Sequence, residues 1–178
     1  MISICLSMLD HEEDKQSFEE IYYTYKQAMY AIAFGVLHNK EDAEDAVQKA
    51  FISIANNFEK IKSLSGQEIK SYIVIIVRNH SINIYNANKR NAERMTEYDD
   101  SDLQVNINYF ENFEYAELVA VISELPAIYR DIIFLHYVRG WSPKEIGKML
   151  DIKIETVWKR IERAKKQLKK ALEERGDY

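Results

Sequence analysis

With 178 residues, 47% of them hydrophobic and 30% charged, and a formal net charge of −5, the chain suits one large or two small soluble domains. Five glycines and two prolines are too few turn formers for a multi-stranded sandwich or barrel, and a single cysteine, Cys5, excludes a disulfide framework or a cysteine-rich zinc site. The apolar start, Met1 to Leu9, lacks a positive n-region, meets the acidic Asp10–Asp14 stretch and is too short to cross a membrane, so a cytoplasmic protein without membrane insertion is expected.

From Phe18 to Leu37, the apolar residues Phe18, Ile21, Tyr22, Tyr25, Met29, Ile32, Ala33 and Val36 predict a helix with one buried stripe. Asn39 is placed to cap the next helix, whose stripe is Ala43, Ala46, Val47, Ala50, Phe51, Ile54 and Phe58. Its opposite face carries Glu41, Asp42, Glu44, Asp45, Gln48 and Lys49, taken alone an ordinary solvated surface. Ser65-Gly66-Gln67-Glu68 offers a capping box ahead of Ile69–Val77. There the signals conflict: five β-branched residues in a row favour a strand, whereas Ile69, Ile73, Ile76, Val77, His80 and Ile84 form a helical stripe. No convincing second strand exists to pair with it, so a helix is predicted. Between Lys70 and Arg94 stand five basic residues and one acid, among several asparagines. That mixture suits nucleic acid and equally a polar helix end. Glu97 to Glu117 holds seven acids and no Lys or Arg and reads as a linker. A last unit starts near Glu114, with Leu118, Val119, Ile122 and Leu125 as its stripe; Pro126 then opens a helix bearing Ile128, Ile132, Ile133 and Leu135.

The stretch Trp141–Leu172 predicts two helices joined by a tight turn. Ser142-Pro143-Lys144-Glu145 combines an N-cap, a proline at the first helical position and a capping-box Glu. Gly147 lets a second helix approach, and Asp151-Ile152-Lys153 forms the break. Ile154, Val157, Ile161, Ala164 and Leu168 make one stripe, while Lys159, Arg160, Arg163, Lys166 and Lys170 line the other face. Residues 153–175 hold nine Lys/Arg against four Glu, net +5, in a chain of net −5. A helix-turn-helix with that local charge fits a DNA major groove, although a helical hairpin with a solvated basic face has the same pattern.

Several stretches in fixed order carry a family resemblance: Phe18-Glu19-Glu20-Ile21-Tyr22; Asp42-Ala-Glu-Asp45-Ala-Val-Gln48-Lys-Ala-Phe51; Arg78-Asn79 followed by a basic run; Leu125-Pro126 with Tyr129-Arg130; and Thr156-Val157 with Arg160-Ile161-Glu162-Arg163-Ala164. Together they resemble the bacterial RNA polymerase sigma factors of extracytoplasmic-function type, within the sigma-70 family. The resemblance implies an all-α protein of two small helical domains: a sigma-2-like bundle at 1–94, an acidic linker at 95–113 and a sigma-4-like helix-turn-helix domain at 114–178. Implied partners are core RNA polymerase, through the β′ clamp helices and the β flap, promoter DNA, and an anti-sigma protein. No cofactor, metal or enzymatic activity is implied.

Carried over by position, Asp42, Glu44, Asp45, Gln48 and Phe51 fall where the family docks on the clamp helices. Tyr72, Arg78, Asn79, Asn83, Asn86, Lys89 and Arg90 fall where −10 DNA is opened, and Thr156, Trp158, Lys159, Arg160, Glu162, Arg163 and Lys166 on the −35 recognition helix. The chain departs from the pattern in places. Tyr72 stands where Trp is frequent, Asn83 and Asn86 where charged residues are frequent, and Asp151 for a common turn glycine. Lys153 replaces a frequent Ser/Thr cap, and Trp158 a position often basic.

Three other classes compete. A di-iron enzyme would need Glu-x-x-His, but the residues three before each histidine are Met8, Gly35, Val77 and Ile133. A stand-alone helix-turn-helix repressor would leave the Asp42–Phe51 and Arg78–Arg90 stretches without a role. A degenerate sigma-like interaction protein, binding without initiating, would accommodate the weakly basic −10 stretch.

Overall fold

The computed structural model describes residues 2–91 and 116–175, with the backbone alone at Arg90, Asn91, Ala116 and Glu117. The expected linker at 95–113 and the start of the last unit at Glu114 therefore lie outside the described residues. The chain divides into two compact units, Met1–Asp99 and Asp100–Tyr178, and its described elements are all helical.

The first unit comprises α1 (Ile2–Leu6), α2 (Glu12–Leu37), α3 (Lys40–Asn56), α4 (Phe58–Ile61) and α5 (Gly66–Asn91). Helices α2, α3 and α5 pack pairwise. Helix α2 starts six residues before the apolar stripe, because Glu12, Glu13 and Asp14 in its first turn favour the positive end of the helix dipole. It stops at His38, which takes a left-handed conformation (φ 50°), and its N–H donates to the Phe34 carbonyl. One residue later the Asn39 side chain accepts from the Asp42 N–H at 3.0 Å and opens α3. Small residues Ala43, Ala46 and Ala50 let α3 approach its neighbours, and Phe18 meets Phe51 and Phe58 edge-on at 6.1 and 5.8 Å. Lys62 donates to Glu59 and Asp14, holding the segment after α4 against the start of α2.

Helix α5 resolves the conflict between strand propensity and helical period in favour of the helix, since packing against α2 and α3 outweighs a weak local preference. At its start the Glu68 carboxylate accepts from both the N–H and the hydroxyl of Ser65. The expected one-sided stripe is corrected. Residues 71–82 are buried without interruption, while Ile69 is only half-buried. Four polar members of this run are satisfied locally or by a neighbour: Ser71, Asn79 and Ser81 donate to carbonyls one turn back, and His80 Nε2 lies 2.9 Å from Ser53 Oγ.

The second unit contains α6 (Ala116–Glu124), α7 (Ala127–Ile133), a π-helical turn (Phe134–Val138), α8 (Pro143–Leu150) and α9 (Ile154–Arg175). Its core joins Val121, Ile122, Leu125, Ile132 and Leu135 to Ile146, Met149, Leu150, Val157, Ile161 and Ala164. Leu118, expected in the stripe, is exposed, and Val121 is buried in its stead. The π-helical turn was not predicted: the Arg139 N–H reaches the Phe134 carbonyl at 3.0 Å, five residues back, before Gly140 (φ +69°) turns the chain. Among the described residues no helix is long and apolar enough to cross a membrane.

Candidate nucleic-acid interface

The helix-turn-helix is fixed by local chemistry. Ser142 Oγ accepts from the Glu145 N–H, and Glu145 Oε2 accepts from the Ser142 N–H at 2.8 Å, a reciprocal box with Pro143 at the first helical position. At the other end Asp151 is left-handed (φ 51°), and the N–H groups of Asp151 and Ile152 close on the Gly147 carbonyl. Gly147 is required for space: a Cβ there would stand 2.9 Å from the Ile152 carbonyl oxygen. The Lys153 carbonyl then accepts from the N–H groups of Thr156 and Val157, starting α9.

Helix α9 buries Val157, Ile161 and Ala164 and leaves Leu168 half-buried. Ile154, expected in that stripe, is instead 40% exposed. Lys159, Glu162, Arg163 and Lys166 are exposed, Trp158 is 49% exposed, and Thr156 and Arg160 lie half-buried at the edge. All seven residues assigned to −35 DNA are thus at least partly accessible. Residues 153–166 carry six Lys/Arg against two Glu. Farther along, Lys169 and Lys170 pair with Glu173 and Glu174, so the positive field is concentrated on the first half of α9. The Trp158 ring meets His136 edge-on at 6.4 Å, and Lys165 sits 5.4 Å above the Tyr137 ring.

In the first unit, Glu44, Asp45 and Gln48 are exposed on the outer face of α3 and Asp42 is half-buried. Asp45 pairs with Lys49 at 2.8 Å, and Asp42 Oδ2 accepts from Asn88 Nδ2 at 2.9 Å. Phe51 requires correction. It is fully buried, 4.7 Å from the Tyr22 ring, so it is a core residue and not part of a docking surface.

The −10 set divides. Tyr72, Arg78 and Asn79 are buried, at 1%, 1% and 0% exposure, and the Asn79 amide donates to the Ile75 carbonyl. As they stand, these three do not face DNA, a correction to their placement on a binding surface. Asn83, Asn86 and Lys89 are partly accessible, and Lys89 lies 5.0 Å over the Tyr85 ring. The Arg90 side chain lies outside the described residues. Asn88, which joins the end of α5 to the acidic face of α3, was missed. Nothing in a linear pattern marks a contact 46 residues away.

Two helical units, one ending in a helix-turn-helix with a cationic second helix, have the architecture of a helix-turn-helix DNA-binding protein. A model of Sigma-70 region 2 matches residues 21–91, and one of Sigma-70, region 4 matches residues 109–168. The chain is 28% identical over 171 residues to the ECF RNA polymerase sigma factor SigW of Bacillus subtilis, covering 89% of this chain and 90% of that one. To SigX of the same organism it is 25% identical over 167 residues, covering 89% and 85%. To SigE of Mycolicibacterium smegmatis it is 26% identical over 161 residues, covering 86% of this chain and 60% of the relative's length. A chain in the co-crystal structure of the sigma factor RpoE with the anti-sigma factor NepR from Bartonella quintana gives 20% identity at a TM-score of 0.37, covering 89% of this chain and 98% of that one.

The chain belongs to the sigma-70 family, to its extracytoplasmic-function type. It is a promoter-specificity factor for transcription initiation, acting with core RNA polymerase on promoter DNA.

Proposed function

We propose that α9 reads −35 duplex DNA, that the outer face of α3 docks on the β′ clamp helices of core polymerase, and that the C-terminal part of α5 holds the opened −10 strand. The second unit also meets the β flap. The assignment divides the chain into a sigma-2-like domain (1–94), a linker (95–113) and a sigma-4-like domain (114–178). The carrying observation is α9 itself: a buried stripe of Val157, Ile161 and Ala164, opposed by exposed Lys159, Arg163 and Lys166. Residues early in such a helix reach base edges, and later ones meet phosphate.

At −10, opening the duplex without ATP requires binding energy to replace lost stacking. Asn83 and Asn86 supply amides for a base edge, and Lys89 and Arg90 cations for the backbone. Tyr72, Arg78 and Asn79 join that surface only once uncovered. On the α3 face, Asp42, Glu44, Asp45 and Gln48 present carboxylates and an amide to a cationic partner. An anti-sigma protein is the further partner the family implies. The protein acts in the cytoplasm, by binding alone, with no catalytic step or cofactor of its own.

Transcription in vitro with purified core polymerase, this protein and fragmented genomic DNA, with RNA 5′ ends mapped, tests the reading. The expected result is a set of defined starts sharing upstream −35 and −10 motifs. The absence of both core binding and defined starts would overturn it. The burial of Tyr72, Arg78 and Asn79 favours one second reading, core binding without promoter opening. Measurable core affinity with no specific start would select that one.

A further inference from the structure

Helix α9 has two large exposed apolar side chains, Ile154 at 40% and Trp158 at 49%. They stand four residues apart, on one flank of the helix and within its first five residues. That is the end of a recognition helix that reaches base edges. The indole is steadied from one side by His136, whose Nδ1 is 2.8 Å from the Trp141 carbonyl oxygen. Half of its surface is left open to an occupant. The charges around the pair indicate which one. Lys159 follows Trp158 directly, Arg163 and Lys166 continue the exposed face, and Lys153 precedes Ile154, four accessible cations against the two exposed acids Glu155 and Glu162. An apolar protein surface laid on this flank would have to neutralise or bury those cations, whereas the two phosphate backbones that border a major groove complement them. Inside that groove, the apolar group on a base edge is the C5-methyl of thymine; guanine, adenine and cytosine offer donors and acceptors only.

We propose that Trp158, flanked by Ile154, reads thymine in the −35 duplex through its C5-methyl group. The inference rests on the assignment of α9 to −35 DNA and adds the base that this chain's unusual apolar flank selects. It also gives a reason for an indole where a cation would strengthen phosphate binding. The side chain exchanges non-specific attraction for a contact that only one base completes.

The test uses holoenzyme assembled from the full chain and core polymerase. Upstream duplex sequences are first selected from a random pool, and each thymine of the −35 element is then replaced in turn by deoxyuridine, which removes the methyl and nothing else. At one or two thymines the wild-type holoenzyme should bind about fourfold more weakly to the uracil duplex, the loss of one buried methyl at about 0.8 kcal/mol. Trp158→Ala and Trp158→Arg holoenzymes should bind thymine and uracil duplexes equally there, and Trp158→Leu should keep part of the discrimination. Far-UV circular dichroism confirms that each variant is folded, as expected for a half-exposed position. A −35 element without thymine, thymines all indifferent to the methyl, or discrimination unchanged in folded Trp158→Ala would each overturn the thymine contact while leaving −35 recognition in place. A holoenzyme with no upstream duplex preference would instead remove the promoter reading, and this inference with it.

Discussion

Reversing one charge on α3 tests the proposed docking surface apart from the fold it rests on. Asp45 is exposed and pairs with Lys49 one turn later at 2.8 Å, both side chains being about half accessible, at 49% and 45%. Such an exposed pair contributes about 0.3–0.5 kcal/mol, and the like-charge repulsion against Lys49 that Asp45→Arg creates costs a similar amount. Against this, Arg is a better helix former than Asp. The net change in stability is therefore below about 1 kcal/mol, a melting shift of at most roughly 4–8 °C for a unit of this size. On the outer face the effect is larger. Residues 41–49 carry four acids and one Lys, and the substitution changes their net charge from −3 to −1. A guanidinium brought against a cationic partner surface costs several kcal/mol, and each 1.4 kcal/mol is tenfold in affinity. Core-polymerase binding should fall at least about 100-fold, and less at high salt, where exposed charges are screened. Fluorescence anisotropy of labelled protein titrated with core, at two salt concentrations and beside a thermal melt, measures both quantities. A folded variant with unchanged core affinity would refute the docking assignment. A melting point lowered by about 10 °C or more, beyond what a surface substitution costs, would refute the account of Asp45 as a surface residue.

Phe51→Ala should cost about 3–5 kcal/mol in a denaturant titration, because a fully buried ring packed on Phe18 and Tyr22 leaves a cavity. A loss below about 1 kcal/mol, the range of surface changes, would return Phe51 to the surface. Asp151→Gly should stabilise the second unit by about 0.5–1 kcal/mol, since only glycine takes φ 51° without a Cβ penalty; a lowered melting point would mean that the aspartate side chain holds the turn. Lys166→Ala should weaken binding to promoter duplexes of every sequence alike and lower the slope of log affinity against log salt by about 1, and a sequence-selective loss would place Lys166 on a base instead.

The parts of this fold legible in the sequence are those decided within one helical turn. Asn39, the Ser142–Glu145 box and the break at Asp151 each depend on partners a few residues away, and each stands where its residue types predict. Periodicity located α3 and α9 because each has one apolar face, and it chose correctly between helix and strand for α5. It could not say that α5 would be covered on its polar side as well. Tyr72, Arg78 and Asn79, which the family resemblance puts at −10 DNA, are buried, and Phe51, which it puts at the clamp helices, fills the core as its place in the α3 stripe predicts. Period alone also assigned Ile154 to a stripe whose first residue lies beyond the edge of the packed region. The π-helical turn at Phe134–Val138 has no marker in composition, because one extra residue in a turn is tolerated by many side chains and selected by tertiary packing.

The two longest exposed and enclosed helices owe their shape to opposite causes. Helix α9 is built mostly of Lys, Arg, Glu, Ala and Leu, all strong helix formers, and a peptide of residues 154–175 should keep appreciable helicity in isolation. Residues 66–91 carry the run Ile73-Val-Ile-Ile-Val77 and several asparagines, and the same excision should leave them largely coil. Helix α5 is thus templated by α2 and α3, which precede it in the chain and leave the ribosome first. Its central amides should exchange with deuterium only when the first unit opens as a whole, whereas those of α9 should exchange turn by turn from its C-terminal part, where Leu168 and Leu172 are only half-buried.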